Sequence, residues 1–324
     1  MKYYDINKTL ISCPYGLRIL AQRIERLDKT VLVMPLIDYV TSTVDASAYN
    51  MIFLYEWSGF CPAPTQLANN VFVFHFNYTV ADNVNIFYYP QWLFCISEAI
   101  RRYSEPDTTF PLACASRNFN NGRPGKIYNL QLLKSKPYYN DILITKFKSI
   151  ESFELYSLPE MSDDTFKQLV NEFLLDYNTW QTMDSPELTL GNSMTTIDLD
   201  VYKKSLFSII AETSVHHTFL SEKTFKVFAA GQIPIMCGPQ GAIMHLKQLG
   251  FDVFDDIVDH SYDNISNWQE RIIAMHKSLD SIVKLDHNTI LIETHNRRIS
   301  NFRQLHSVEL HNKLLEPMIK RIAN

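Results

Sequence analysis

The chain repeatedly sets a short run of β-branched and aromatic residues beside a stretch with helical spacing. No other feature constrains its fold as much. TVLVMPLID (30–38), NMIFLYEW (50–57), VFVFHF (71–76) and NIFYYP (85–90) are too short for helices and too uniformly apolar for strands with one wet face. Each reads as a strand buried on both faces, the habit of parallel sheets. GLRILAQRIERLD (16–28) instead keeps Leu17, Leu20, Ile24 and Leu27 on one helical stripe. PQWLFCISEAIRRYS (90–104) opens on a proline, which a helix start accommodates.

The turn-rich SEPDTT (104–109) interrupts this pattern and reads as a linker, after which the pattern restarts. FPLACA (110–115), the polar loop SRNFNNGRPG (116–125), KIYNLQLLKS (126–135) and DILITKF (141–147) form a strand–loop–helix–strand unit. Helices are expected at 163–178, 222–230, 241–249, 264–283 and near 303–321, with strands at 205–212 and 233–237. Gly231 and Gly250 stand where helix C-cap glycines belong. Strands alternating with helices predict an α/β chain. Two Rossmann-like halves predict the GT-B architecture, in which two such domains face each other across a nucleotide-sugar cleft. The expected boundaries are 1–106 for an acceptor-side domain, 107–294 for a nucleotide-sugar-binding domain, and 295–324 for a C-terminal helix crossing back to the first domain.

A length of 324 residues suits two domains. No apolar run reaches the length of a membrane-spanning helix, and MKYYDINKTLISCPYG lacks the apolar core of a secretory signal. The five cysteines are odd in number and scattered among apolar residues, so they read as reduced core thiols and the expected location is cytoplasmic. The net charge of −5 disfavours a nucleic-acid partner, but its distribution is uneven. Residues 101–148 hold nine Lys/Arg against three acids, 151–200 one against eleven, and 295–324 six against two. Such blocks can present a basic face on an acidic chain, or be scattered solvated charge.

The densest chemical signal is FLSEKTFKVFAAGQIPIMCGP (219–239). Ser221 is a natural N-cap, with Glu222 and Lys223 in the first helical turn. A helix N-terminus offers unpaired N–H groups and partial positive charge to a phosphate, and Lys223 adds to that attraction. Lysine there is unfavourable for the isolated helix, so something else must favour it. Glu222 has two oxygens for the hydroxyls of a ribose diol. The plain alternative is a capped helix with a surface Glu–Lys pair.

SLFSIIAETSVHHTFLSEKTFKVFAAGQIPIMCGP (205–239) resembles the donor-binding stretch of the α1,3-fucosyltransferase-like glycosyltransferases. Their pattern runs from an E-N/T-S turn through a T/S-E-K helix start to a P-hydrophobic-G-P element. Glu212, Ser221, Glu222, Lys223, Gly231, Pro234, Gly238 and Pro239 carry the match. GFDVFDDIVDHSYDN (250–264) is similar to a phage-encoded subgroup of that superfamily. The resemblance implies a UDP- or GDP-sugar co-substrate and inversion at the anomeric carbon. It also implies a phosphate-binding arginine on the first helix of the second domain, a place open to Arg117, Arg123 or Lys126. Glu212 would face the nucleotide or sugar hydroxyls. Tyr262 and Asp263 would close the base or sugar pocket, unless they only form a turn.

An inverting transfer needs a base for the acceptor hydroxyl. Glu56, His75 and Asp38 each fall at the carboxyl end of an expected strand, with Glu56 preferred, then His75. Asp198 and Asp200 match a metal-binding DxD but do not end an apolar strand, and no metal is expected. The favoured acceptor is the hydroxymethyl group of a modified cytosine in double-stranded phage DNA. The alternatives are a glycan acceptor, as in fucosyl transfer, and a sugar-nucleotide-binding protein without catalysis.

Overall fold

The computed structural model describes residues 31–35, 51–55, 71–75, 86–88, 90–115, 124–145 and 202–323. The helices expected at 16–28 and 163–178 lie outside them. Among the described residues, the strands form two four-stranded parallel sheets. The first holds β1 (Val31–Pro35), β2 (Met51–Tyr55), β3 (Val71–His75) and β4 (Ile86–Tyr88), in sequence order. Its register pairs Val31 with Met51, Ile52 with Val71 and Val73 with Ile86. Helix α1 (Gln91–Ala99) follows.

The second sheet holds β5 (Leu112–Ala115), β6 (Ile142–Thr145), β7 (Phe207–Ala211) and β8 (Ile233–Cys237) in the order β6-β5-β7-β8. The chain steps from β5 to β6 on one side and then continues on the other side with β7. That reversal makes a topological switch point between β5 and β7, where open α/β sheets bind ligands beyond the strands' carboxyl ends. All five residues of β7 and of β8 are buried, as a sheet covered on both faces requires. Pro234 is tolerated in β8 because that strand pairs with β7 alone among the described strands, and the Ile233 N–H, one residue earlier, is the one that reaches back to Leu206 O.

The helices of this region are α2 (Pro124–Lys134), α3 (Glu222–Ala229), α4 (Ala242–Gln248), α5 (Trp268–Ile282), α6 (His287–Glu293) and α7 (His295–Leu305). Asn267 starts α5 by accepting from Gln269 N and Glu270 N, so the helix begins later than its periodicity predicted, and residues 261–264 form a 3₁₀ turn. Ile272, Met275, Leu279 and Ile282 turn one stripe of α5 into the core. The helix expected near 303–321 is two helices, α7 and α8 (Val308–Ala323). Ser307 separates them and accepts from Leu310 N at 3.1 Å, a capping bond that continuous apolar spacing concealed.

The chain divides into two compact units. One comprises Met1–Glu98, His217–Leu220 and His306–Asn324, the other Ala99–His216 and Ser221–Leu305. Within the first, α8 meets the sheet region through an edge-on Phe94–His311 contact and through Arg321 above the Phe87 ring. Within the second, the stretch expected as a linker is strapped down. Asp107 N donates to Lys203 O, Phe110 N to Lys204 O, and Thr108 to Asn288. The fully buried Arg298 holds Tyr103, Glu105, Thr294, and the carbonyls of Gly231 and Leu291.

Gly231 closes α3 at φ 67°, and Gly250 follows α4 at φ 84°. A Cβ on Gly231 would come within 2.8 Å of the Tyr103 ring and 2.9 Å of Ser104 O. Gly231→Ala should therefore cost about 2 kcal/mol or more, from left-handed strain and displacement of residues 103–104. Thermal melting checks it, and an unchanged midpoint would contradict the packing described.

Candidate donor site at the carboxyl edge of the second sheet

The site is built from the end of β7. Glu212 follows the strand, donates its N–H to Cys237 O at 2.9 Å, and is 1% exposed. A buried carboxylate must find hydrogen-bond donors. Its Oε1 accepts from Ser221 N at 3.0 Å and from the Thr224 hydroxyl, and its Oε2 from Thr213 N at 3.2 Å. Glu212 therefore does not stand open to a ligand's hydroxyls, as the sequence suggested. Its carboxylate ties the strand end to the start of α3.

Helix α3 then begins as its sequence predicts. Ser221 has extended backbone and its hydroxyl accepts from Lys223 N. Thr224 to Ala229 are all buried, with Phe228 stacked on Phe251 at 4.4 Å. Glu222 and Lys223 keep a little exposure, 15% and 14% of their side chains. Lys223 Nζ donates to Glu222 Oε1 at 2.8 Å and to Ser221 Oγ at 3.2 Å. These acceptors offset the repulsion between its charge and the helix N-terminus. Burial works against the Glu222 charge, yet Lys223 and Lys226 outweigh it and hold that carboxyl down at about 2. The result is a fixed, mostly buried pair with an acid and a base side by side.

The neighbouring loops are packed tightly. A Cβ on Gly238 would lie 3.3 Å from Glu212 Cγ. One on Gly125, in the first turn of α2, would overlap Val215 Cγ1. Cys237 Sγ reaches Gly125 O at 3.7 Å. The start of α2 and the loops after β7 and β8 thus meet at one point. Lys126 lies there, only 1% exposed, and its charge works against the burial that pushes the Cys114 and Cys237 thiols up, Cys114 to about 12. Of the three candidates for the phosphate cation, Lys126 is therefore a buried first-turn residue, while Arg117 and Arg123 lie outside the described residues.

Tyr262 and Asp263 are anchors in this structure. Tyr262 is 1% exposed, its hydroxyl accepts from Met236 N at 3.0 Å, and burial pushes its phenol well above the usual range. Asp263 accepts from Ile243 N and Met244 N, capping α4, while burial pushes its carboxyl up. His75 is the last residue of β3. Glu56, which follows β2, and Asp38 lie outside the described residues, as do Asp198 and Asp200.

Sequence reasoning missed Arg271. It sits beside the apolar stripe of α5, 3% exposed, and donates to four backbone carbonyls: Gly238, Ile265, Ser266 and Val215. A charged residue next to a core-facing stripe was the available signal. The charge blocks, in turn, overstated the basic surface. In 295–324, Arg298 is internal and Arg297 is paired with Asp252 and Asp256. In 101–148, Lys126 is buried and Lys136 is paired with Asp280.

Removing the Glu212 carboxylate should strand the Ser221 N–H and the Thr224 hydroxyl without their acceptor. Glu212→Ala is expected to lose about 3 kcal/mol of stability, from buried polar groups left unsatisfied. Melting curves without any ligand check this; a variant as stable as the parent would return Glu212 to a ligand-facing role.

No protein-family model matches the chain, and no curated protein matches its sequence. Among the described residues, no helix is long and apolar enough to cross a membrane. Solved structures to which the chain is similar include two fucosyltransferases. One is a crystal structure of an α1,3-fucosyltransferase with GDP, at 11% identity and a TM-score of 0.38, covering 94% of this chain and 87% of that one. The other is a crystal structure of an α1,3-fucosyltransferase, at 10% identity and a TM-score of 0.37, covering 90% and 88%.

Proposed function

We propose that the chain is a nucleotide-sugar-dependent glycosyltransferase of GT-B type. The observation that carries this reading is the mostly buried Glu222–Lys223 pair at the start of α3, beside the switch point of a parallel sheet. An ammonium has three protons, and Lys223 places two of them on Ser221 and Glu222. The third is offered to a diphosphate, together with the partial positive charge of the helix N-terminus. Glu222, charged at neutral pH, accepts from the ribose hydroxyls. Arg117, Arg123 or Lys126 supplies the second cation.

The acceptor oxygen attacks the anomeric carbon from the face opposite the diphosphate, which departs with the bonding electron pair as the configuration inverts. The acceptor's proton passes to a base of the first domain, with Glu56 as first choice and His75 and Asp38 behind it. Lys223 and the helix N-terminus stabilise the charge gathering on the leaving group. UDP and GDP both fit this chemistry.

For the acceptor, the reading taken from the sequence is double-stranded DNA bearing hydroxymethylcytosine, with a glycan as the alternative. The exposed Arg101, Arg102 and Arg303 of the second unit are compatible with the first, and the cations committed internally weaken it. A non-catalytic sugar-nucleotide-binding protein would keep the Glu222–Lys223 pair and need no base.

Lys223→Ala should weaken binding of the nucleoside diphosphate by about 2 kcal/mol, the loss of a charge-assisted hydrogen bond, and should also lower the melting temperature, because Glu222 loses its nearest counter-charge. Titration calorimetry with UDP and GDP measures it, and equal affinity in parent and variant would refute the donor-site assignment. For the base, Glu56→Gln should preserve donor affinity and slow turnover by about 10²-fold or more. Rates are read on a panel of UDP- and GDP-sugars with hydroxymethylated duplex DNA or glycan acceptors. Full turnover in Glu56→Gln would pass the role to His75, then Asp38. Donor binding with no transfer or hydrolysis on any member would favour the binding-protein reading.

A further inference from the structure

We propose that Arg271 is a positioning residue that sets the shape of the donor site from beneath, an inference that rests on the donor-site reading above. A guanidinium carries five N–H donors in a rigid planar fork. Arg271 spends it on backbone carbonyls from three separate stretches. Its Nε donates to Gly238 O at 3.1 Å, in the loop after β8. Its Nη2 donates to Val215 O at 2.7 Å, in the loop after β7. Its Nη1 donates to Ile265 O and Ser266 O, in the approach to α5.

Two of these carbonyls belong to walls of the site. Gly238 packs against Glu212, the carboxylate that holds Ser221 and hence the start of α3. Val215 packs against Gly125 at the start of α2, so closely that a single methyl group there would overlap it. One side chain therefore fixes the spacing between the loop that leads to Glu222 and Lys223 and the turn that carries Lys126. The diphosphate and ribose contacts both depend on that spacing. Loops at the carboxyl ends of strands are ordinarily the adaptable part of such folds. Here their carbonyls turn inward to a common buried cation. A lysine cannot replace this, because one ammonium cannot span the directions of a planar fork.

The test uses the full chain with Arg271→Lys and Arg271→Ala, and GDP and UDP as probes. Arg271→Lys is expected to keep a cooperative melting transition and bind the preferred nucleotide at least about tenfold more weakly, the equivalent of one charge-assisted hydrogen bond. Arg271→Ala should bind more weakly still. Low, non-denaturing guanidinium chloride should restore part of its affinity by occupying the vacated site, while leaving Lys223→Ala unrescued. A merely structural role would lower the melting temperature without selective rescue of binding. Folded Arg271→Lys with parental affinity would overturn the proposal, as would a folded Arg271→Ala that guanidinium does not rescue. If Arg271→Ala does not fold, the affinity of Arg271→Lys decides. Failure of the parent chain to bind either nucleotide would instead sink the donor-site reading, and this proposal with it.

Discussion

The geometry of the candidate site hangs on one buried carboxylate. Glu212 leaves the end of β7 with almost no exposure, and its oxygens take donors from the residue after it and from Ser221 and Thr224 at the start of α3. An uncompensated charge in that position would be far too costly to bury, so the loop between strand and helix has to close. Closing it sets Glu222 and Lys223 at the sheet's carboxyl edge. The apolar face of α3, packed through Phe225 and Phe228 onto Phe251, fixes the rotation of the helix and decides which residues point outward.

Charge complementarity in the site is internal before it is offered to a ligand. Lys223 sits where a helix least favours a cation, and Glu222 and Ser221 offset that cost. The same economy appears elsewhere in the second unit. Arg297 bridges Asp252 and Asp256 while lying over the Phe254 ring, and Arg298 gathers five partners in the core. Among the described residues, Arg271, Arg297 and Arg298 are used to order loops, so their formal charge adds little to the electrostatic face of their segments.

Much of the local structure was legible from the residues. Strand 233–237 and the start of α3 were readable because an apolar run and a serine cap are local signals, satisfied by neighbours in sequence. The break at Ser307 was missed because apolar spacing runs through it and only the capping bond to Leu310 N marks the new helix. Glu212 was expected to face the ligand, since nothing in the sequence shows that donors nine and twelve residues on return to it. The partners of Arg271 were hidden for the same reason, although its place beside a core-facing stripe marked the residue itself. Its partners are carbonyls as far as 56 residues away, and a carbonyl leaves no trace in the residue type that carries it. The segment 104–109 has the composition of a linker, yet Arg298, nearly two hundred residues later, fastens its beginning.

On the proposed reading, a nucleotide engages the start of α3 and the loops that Glu212 and Arg271 hold. Amide hydrogen exchange on the full chain, with and without saturating GDP or UDP, checks this. Added protection is expected to concentrate at residues 221–226 and around Gly238, with the core strands Phe207–Ala211 and Ile233–Cys237 unchanged. Protection confined to other parts of the second unit, or none with either nucleotide, would contradict it.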